Sequence, residues 1–442
     1  LIKSGPKYWF EVWSDKDIYN STLLDQDIEA IKDYYLNRGY AKFKVVSKQV
    51  NLSPNKEDIY ITLSINEGNL YKFGKTTIYG LDNFDSTVFK NIINYNLKPG
   101  SFFSRANIET TKKAIEFVLG EKGYAFSTIQ LNVDLRNDSE SVDITFRIDP
   151  KKESFVRRIN IKGNTKTNDE VYRRELRQFE SSIYSINKVE RSKIRLQRLK
   201  FINQVDVKKT IIDEENGYID IDFLLEETQS GEFKVGAGYS DSSGTIFNIK
   251  VQQDNFLGRG NNVGLEIEKS SLKKLLRYRN TNPYFTKDGI SKSTSIVFSE
   301  TDVSSTSTAS YISDTIAYGI NYNVPISETR SYGYGAELTL TDYETTVGSP
   351  SNVTSFIDKY GNSHFGLMIR ASLVEDTRNR TVYATQGKKQ SINSSLFIKP
   401  DFDYSYASIK FTGEYNTPYR LNFFDMFNWD TSFQVRPQLG LG

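Results

Sequence analysis

From residue 232 onward, polarity along the chain changes with a period of two. Phe233, Val235, Ala237 and Tyr239 alternate with Glu232, Lys234, Gly236 and Gly238. Val263, Leu265 and Ile267 alternate with Asn262, Gly264, Glu266 and Glu268, and Ile316, Tyr318, Ile320, Tyr322 and Val324 with Ala317, Gly319, Asn321 and Asn323. The pattern recurs around Tyr332–Leu340 and Phe365–Leu373, and closes with Trp429, Thr431, Phe433 and Val435 against Asp430, Ser432, Gln434 and Arg436. Successive side chains of a strand point to opposite faces, so each segment has one apolar, aromatic face and one small or polar face. A soluble sandwich would account for alternation alone. Strands of about ten residues favour a tilted crossing of hydrocarbon, since soluble strands are usually half that length. Connections are expected near 254–261, 285–290 and 325–330 on one side and near 241–244, 301–314 and 342–363 on the other. The first set is short and the last two of the second are long, as in outer-membrane barrels.

The stretch Val251-Gln252-Gln253-Asp254-Asn255-Phe256-Leu257-Gly258-Arg259-Gly260 interrupts this alternation. A glycine-rich break can cradle a phosphate, but no Gly-Lys-Ser/Thr continuation and no helix follow it. Asp254, Asn255, Gly258 and Gly260 are therefore expected to form a tight hairpin turn. Pro283 and Gly289 mark another.

Before residue 228 the chain repeats. Asn37-Arg38-Gly39-Tyr40-Ala41 returns as Glu121-Lys122-Gly123-Tyr124-Ala125, and Asp58–Ile65 returns as Ser141–Ile148. Tyr71–Gly80 returns as Phe155–Gly163. A spacing of roughly 80 residues suits small domains in tandem rather than a solenoid. Each unit reads strand, helix, helix, strand, strand. Leu24, Ile28, Ile31 and Tyr35 share one helix face. Phe155–Lys162 is an expected strand, Thr167-Asn168-Asp169-Glu170 an expected capping box, and 187–202 a helix followed by strands near 204–212 and 217–226. The first unit lacks an opening strand and first helix, so the chain is expected to begin inside a module. The boundaries drawn are 1–68, 69–150, 151–228 and 229–442.

Two charged segments stand out. The expected helix 187–202 carries Lys188, Arg191, Lys193, Arg195, Arg198 and Lys200, which reads as a solvated face or as attraction to anionic headgroups. The segment 173–180, also read as helix, offers Arg173, Arg174, Arg177 and Glu180 to a partner protein, although surface salt bridging explains it as well.

Composition narrows the function classes. The 442 residues carry 57 Lys and Arg against 55 Asp and Glu, a net charge of +2 that gives no footprint for nucleic acid. With no cysteine and a single histidine, His364, there is no basis for thiol or His-based catalysis or for a metal site. His364 is read as a loop residue at a strand start. No cofactor is expected, and no nucleophile–base pairing suggests an enzyme. The 28 Tyr and 28 Phe exceed what so polar a chain needs for a soluble core and fit aromatic strand faces.

The stretches Val251–Gly260, Thr281-Asn282-Pro283-Tyr284-Phe285-Thr286-Lys287-Asp288-Gly289 and Gly163–Thr167 with Arg173–Gln178 resemble signature segments of the BamA family of outer-membrane protein assembly factors. That resemblance covers essentially the whole chain. It implies α+β tandem POTRA modules (β-α-α-β-β), namely the end of the third, the fourth and the fifth. An antiparallel transmembrane β-barrel follows, here incomplete, with about eleven of sixteen strands. It further implies an insertase that templates client strands at a lateral seam, with Glu232, Phe233, Lys234, Val235, Gly236, Ala237, Gly238, Tyr239 and Ser240 as the edge strand. Phe43, Lys44, Val45 and Val46 would then offer an edge for β-augmentation, and the module beside the barrel would dock a BamD-like accessory lipoprotein. The implied partners are such lipoproteins, unfolded barrel clients and outer-membrane lipids. The implied setting is the bacterial outer membrane, with the modules in the periplasm. The family's Val-Arg-Gly-Phe loop and closing strand are absent, so this stretch alone is not expected to insert clients. Related readings are a TamA-like or two-partner secretion translocator, or a passive porin or adhesin barrel.

Overall fold

A computed structural model describes residues 19–54, 58–241, 243–303, 310–378 and 387–398, and the backbone of 407–423, 427–435 and 438–441. The expected connections at 242 and 304–309 fall outside these residues, as do the side chains of the Trp429–Val435 strand. Two compact units form, one up to Asn160 with Arg177–Ser192 and Lys208–Asp222, the other from Ile161–Leu176, Lys193–Val207 and Phe223–Gly442. The division runs through the third module.

The first module shows α1 (Ser21–Leu36) and an antiparallel pair, β1 (Lys44–Leu52) and β2 (Ile59–Asn66). Asn20 starts α1 by accepting the Thr22 and Leu23 amides on its side chain. The second module is complete: β3 (Lys72–Tyr79), α2 (Ser86–Asn96), α3 (Arg105–Glu121), β4 (Thr128–Arg136) and β5 (Ser141–Asp149), in sheet order β3-β5-β4. Asp85 and Ser104 cap its helices. Because β5 is central it buries one side fully, with Val142, Ile144 and Phe146 at 0% exposure against Phe73, Phe89, Ile115 and Leu119.

The third module comprises β6 (Phe155–Lys162), α4 (Asp169–Arg173), β7 (Ser182–Ile183), α5 (Ile186–Gln197), β8 (Ile202–Asp213) and β9 (Tyr218–Glu227), in sheet order β7-β6-β9-β8. Three expectations fail here. The capping box does not form, because Asn168 is the N-cap of α4, without a side-chain bond, and Thr167 is used elsewhere. Segment 173–180 is not a helix, since α4 ends at Arg173 and the chain turns to bury Leu176 and Gln178. Gln178 instead donates to Ser182 Oγ and the Ile183 carbonyl and accepts from the Ser185 amide. Helix α5 also stops earlier than expected, so that Phe201, Ile202 and Val205 can enter the core.

The second half is one antiparallel meander of β10 (Gly231–Ser240), β11 (Gly244–Phe256), β12 (Asn261–Lys269), β13 (Lys273–Asn282), β14 (Ser291–Asp302), β15 (Tyr311–Pro325), β16 (Arg330–Thr345), β17 (Ser363–Asp376), β18 (Lys389–Ile398), β19 (Ala407–Phe423) and β20 (Phe427–Val435). A last strand, β21 (Gln438–Leu441), pairs with β19. Register aligns the apolar residues into transverse rows. One row runs Ile249, Ile267, Leu276, Phe298, Ile316, Leu340 and Phe365, and the next Val251, Leu265, Tyr278, Ile296, Tyr318, Leu338 and Leu367. Most of these side chains are exposed. Soluble monomers rarely show continuous apolar patches beyond a few hundred Å², so the face is built for lipid. The opposite face is polar and carries ion pairs, Glu266 with Arg277 at 2.9 Å and Glu337 with Arg370 at 3.0 Å. A sandwich would have buried the apolar face, which the exposure of these rows rules out. No helix among the described residues is long and apolar enough to cross a membrane.

The β16–β17 connection holds a helix that periodicity missed, α6 (Ser351–Tyr360). His364 lies inside β17, not in a loop, and is buried against Phe356 of α6 and Tyr343, with ring centroids 5.0 and 5.7 Å away. On the lipid-facing band, Leu265→Arg is expected to destabilise by about 2–4 kcal/mol, measured as reversible urea unfolding of the full-length protein in lipid vesicles. An unchanged midpoint would contradict the orientation of this face.

Candidate functional site

Two features are candidates: the end of the large sheet and the cluster where the chain enters it. Strand β10 pairs with β11 along its whole length, from Gly231 opposite Gln253 to Ser240 opposite Gly244. Among the described residues no strand lies on its other side. Phe233, Val235 and Tyr239 are 69%, 64% and 76% exposed, and Glu232 and Lys234 pair along the strand at 2.6 Å. A Cβ at Gly236 or Gly238 would meet nothing within 4 Å, so the middle of this strand has almost no side-chain packing.

Just before β10, Glu227 ends β9 inside a set of donors. The Thr165, Lys166 and Thr167 amides, the Thr165 hydroxyl and the Tyr172 hydroxyl all donate to its carboxylate, at 2.7–3.1 Å. Burial acts to raise this carboxyl, but the hydrogen bonds outweigh it and hold it down at about 2. Burial pushes the Tyr172 phenol well above its ordinary range.

The same loop receives the turn after β11. Thr167 Oγ1 accepts from Asn255 Nδ2 at 2.7 Å, the Gly258 carbonyl accepts the Asn168 amide at 3.0 Å, and the Gly260 amide donates to Asn255 Oδ1 at 2.8 Å. Asn255 and Leu257 have positive φ, as do Gly258 and Gly260. A Cβ on Gly258 would lie 2.4 Å from the Lys166 carbonyl oxygen. The break is thus a hairpin turn, and it is also the part of the large sheet that seats on the 165–168 loop.

A second contact gathers around Arg195. Its guanidinium donates to Glu175 at 2.6 Å, Glu328 at 2.9 Å and the Tyr284 hydroxyl at 2.9 Å, and Arg174 stacks on the Tyr284 ring at 4.4 Å. Arg198 donates to the Arg378 carbonyl and Lys200 to Asp254. Arg195 of α5, and Arg198 and Lys200 just past its end, are therefore committed to partners inside the molecule, which neither a solvated face nor a headgroup-binding face anticipated.

The remaining expected site residues separate. Arg174 faces Tyr284, Arg173 pairs with Asp169, and the Arg177 amide donates to Ser192 Oγ. Glu180 accepts the Ile159 amide at 2.8 Å. Phe43 precedes β1 and is buried, stacked on Tyr35 at 4.2 Å; Lys44 and Val45 begin the strand, and Val46 is skipped by a register shift and 62% exposed. Pro283 and Gly289 lie in the β13–β14 turn, with Gly289 at φ 82°. Asp254 takes part through Lys200 and Gln252. Thr167, Glu175, Arg195, Glu227, Tyr284 and Glu328 were not singled out as a cluster, and their wide separation in sequence gave no local signal.

Comparison with known proteins agrees with this architecture. A POTRA model, described as a surface antigen variable number repeat, matches residues 2–68, 71–151 and 154–228, and the Omp85 superfamily domain matches 255–442. The chain belongs to the POTRA family, and its second half carries an Omp85 superfamily domain. It is 28% identical over 391 residues to the outer membrane protein assembly factor BamA of Neisseria meningitidis serogroup B, covering 86% of this chain and 49% of that one. To BamA of Buchnera aphidicola it is 31% identical over 277 residues, 63% of this chain and 44% of that one. It spans about half the length of these relatives. A crystal structure of Haemophilus ducreyi BamA lacking POTRA domains 1–3 superposes with a TM-score of 0.61 at 22% identity, over 80% of this chain and 68% of that one, and shows the shared fold. The chain is accordingly of BamA type, located in the outer membrane with its POTRA modules in the periplasm.

Glu227→Gln would put an amide group against backbone donors and is expected to cost about 1–3 kcal/mol at pH 7. Because the folded carboxyl is depressed, this contribution is fully present above the ordinary glutamate range and is lost as pH falls toward about 2. Thermal unfolding of wild type and variant should therefore converge between pH 4.5 and 2. A constant gap across that range would refute the role of the charge. Arg195→Ala, which leaves Glu175 buried without its cation, should cost about 3–5 kcal/mol in the same measurement.

Proposed function

We propose that this chain works within an outer-membrane protein assembly factor, one that folds and inserts client β-barrels by strand templating at β10. The observation carrying this reading is the run of small residues in the middle of β10, with Gly236, Ala237 and Gly238 opposite Asn248, Phe247 and Ile246, which leaves its pairing to main-chain donors and acceptors of the kind a client strand also offers. A client strand in hydrocarbon must pair every backbone group, and an edge strand with two unpacked glycines is a partner it can take and release. The names of the relatives support the assembly role. POTRA modules would receive clients along β1, where Lys44, Val45 and Val46 sit, and dock accessory lipoproteins of the BamD kind. For the latter, Arg173 is more exposed than Arg174 and Arg177, and Phe179, 64% exposed beside Glu180, adds an apolar anchor.

The test is photocrosslinking in cells from Lys234 or Gly236 of the full-length protein while a barrel client is stalled in assembly. Adducts with the client's terminal strand are expected. Capture of only the protein's own strands, under every client load, would make the edge structural and shift the role to the POTRA modules.

A further inference from the structure

The repeated stretches Asn37–Ala41 and Glu121–Ala125 mark the two joints between modules, and the contacts they make lie inside the first compact unit. At each joint the end of one module's helix meets the start of the next module's second helix. Asn37 follows α1, and its Oδ1 accepts the Ala106 amide at 2.8 Å and the Ser104 hydroxyl at 3.3 Å. Glu121 ends α3, and its Oε1 accepts the Asn187 amide at 2.7 Å and the Ser185 hydroxyl at 2.8 Å. The two serines complete the same figure, each Oγ accepting an amide three residues on, that of Asn107 at 3.3 Å and that of Lys188 at 3.2 Å. The first amides of a helix have no partner within it, and here part of that need is met from the preceding module.

A second contact repeats as well. The Gly39 carbonyl accepts the Tyr71 amide at 2.7 Å, and the Gly123 carbonyl accepts the Ser154 amide at 2.9 Å, just ahead of β3 and β6. Both glycines have positive φ, 104° and 97°, and a Cβ would come within 2.6 Å of Leu70 at the first and 2.8 Å of Glu153 at the second. What differs between the joints is charge. A neutral amide at 37 and a carboxylate at 121 meet the same pair of donors, so the position calls for an acceptor oxygen and not for a charge. The second joint adds Lys209, which donates to the Ala125 carbonyl at 2.6 Å between the rings of Phe126 and Tyr184.

We propose that the side-chain oxygens of Asn37 and Glu121 are positioning elements that set the angle between successive modules. Both joints then make the same turn, and β1 and β4, which end their sheets, are presented at a fixed mutual angle. The inference goes beyond the assembly reading and does not depend on templating at β10.

The experiment is double electron–electron resonance on the full-length protein in lipid vesicles. Nitroxides on Gln49→Cys with Tyr95→Cys span the first joint, and on Tyr95→Cys with Lys208→Cys the second; all three positions are exposed. Asn37→Ala and Glu121→Ala should each widen the distance distribution across its own joint about twofold, because domains not locked together move by default. Neither should alter the other joint. Glu121→Gln, which removes the charge and keeps the acceptor, should match wild type. A contact that merely adds stability would lower the unfolding midpoint with the width unchanged, and that result overturns the proposal. Widening by Glu121→Gln equal to that by alanine overturns it too, because charge would then hold the joint. If Glu121→Ala does not fold, Asn37→Ala decides, at a joint that lacks Lys209. Templating at β10 is read by crosslinking and stands apart from all of these outcomes.

Discussion

In a membrane, main-chain hydrogen bonding is not one stabilising contribution among many but a condition of existence: an unpaired N–H or C=O in hydrocarbon costs several kcal/mol. The second half of this chain answers that condition with continuous antiparallel pairing from β10 to β20, the register shifting once, between Gln253 and Phe256 of β11. The rest follows. Once register is fixed, side-chain alternation is fixed too, and one face must be apolar along every strand. Rows such as Val251, Leu265, Tyr278 and Ile296 result. The ion pairs Glu266–Arg277 and Glu337–Arg370 are tolerated because the same alternation turns them away from lipid.

Where β10 begins, the constraint changes from main chain to side chain. Only residues 228–230 separate β9 from β10, and the last residue of β9 is clamped. Glu227 organises the 165–167 amides, the loop carrying them receives the Asn255–Gly260 turn, and Arg195 ties Glu175 to the turns that hold Tyr284 and Glu328. Each charge is partly buried, and each is compensated by hydrogen bonds with defined direction, the arrangement in which burial of a charge gives a fixed geometry rather than a net loss. The start of β10 is therefore held in place by polar contacts, while β10 itself is not.

This contrast also explains what could be seen in the sequence. Strands were legible because period two reports burial by lipid on one face, and the break at 254–260 was legible as a turn because glycine and asparagine supply positive φ. Its seating on the third module was not, since Thr167 and Asn255 are far apart in the chain and a capping box offered Thr167 a more local use. Segment 173–180 carried helical composition, but buried Leu176 and Gln178 needed a turn, and tertiary packing overrode propensity. The basic helix was visible as charge only, because nothing local shows that Arg195 meets Glu175, Glu328 and Tyr284. Helix α6 was lost inside a long polar connection, where ten residues give periodicity little length to register.

The middle of β10 is weak for a reason specific to its register. Gly236 stands opposite Asn248, Ala237 opposite Phe247 and Gly238 opposite Ile246, so its central positions present hydrogen or methyl to full-sized neighbours. Cross-strand side-chain pairs contribute roughly 0.2–1 kcal/mol each, and here they are nearly absent. Strand β10 is thus held to β11 chiefly by main-chain bonds, which are indifferent to sequence. Under the proposed templating role, a strand held in that way would present the same indifference on its other edge, accepting any partner of adequate length and leaving no shaped pocket behind. Clients of unlike sequence would then find one common edge, which a permanently packed strand would withhold.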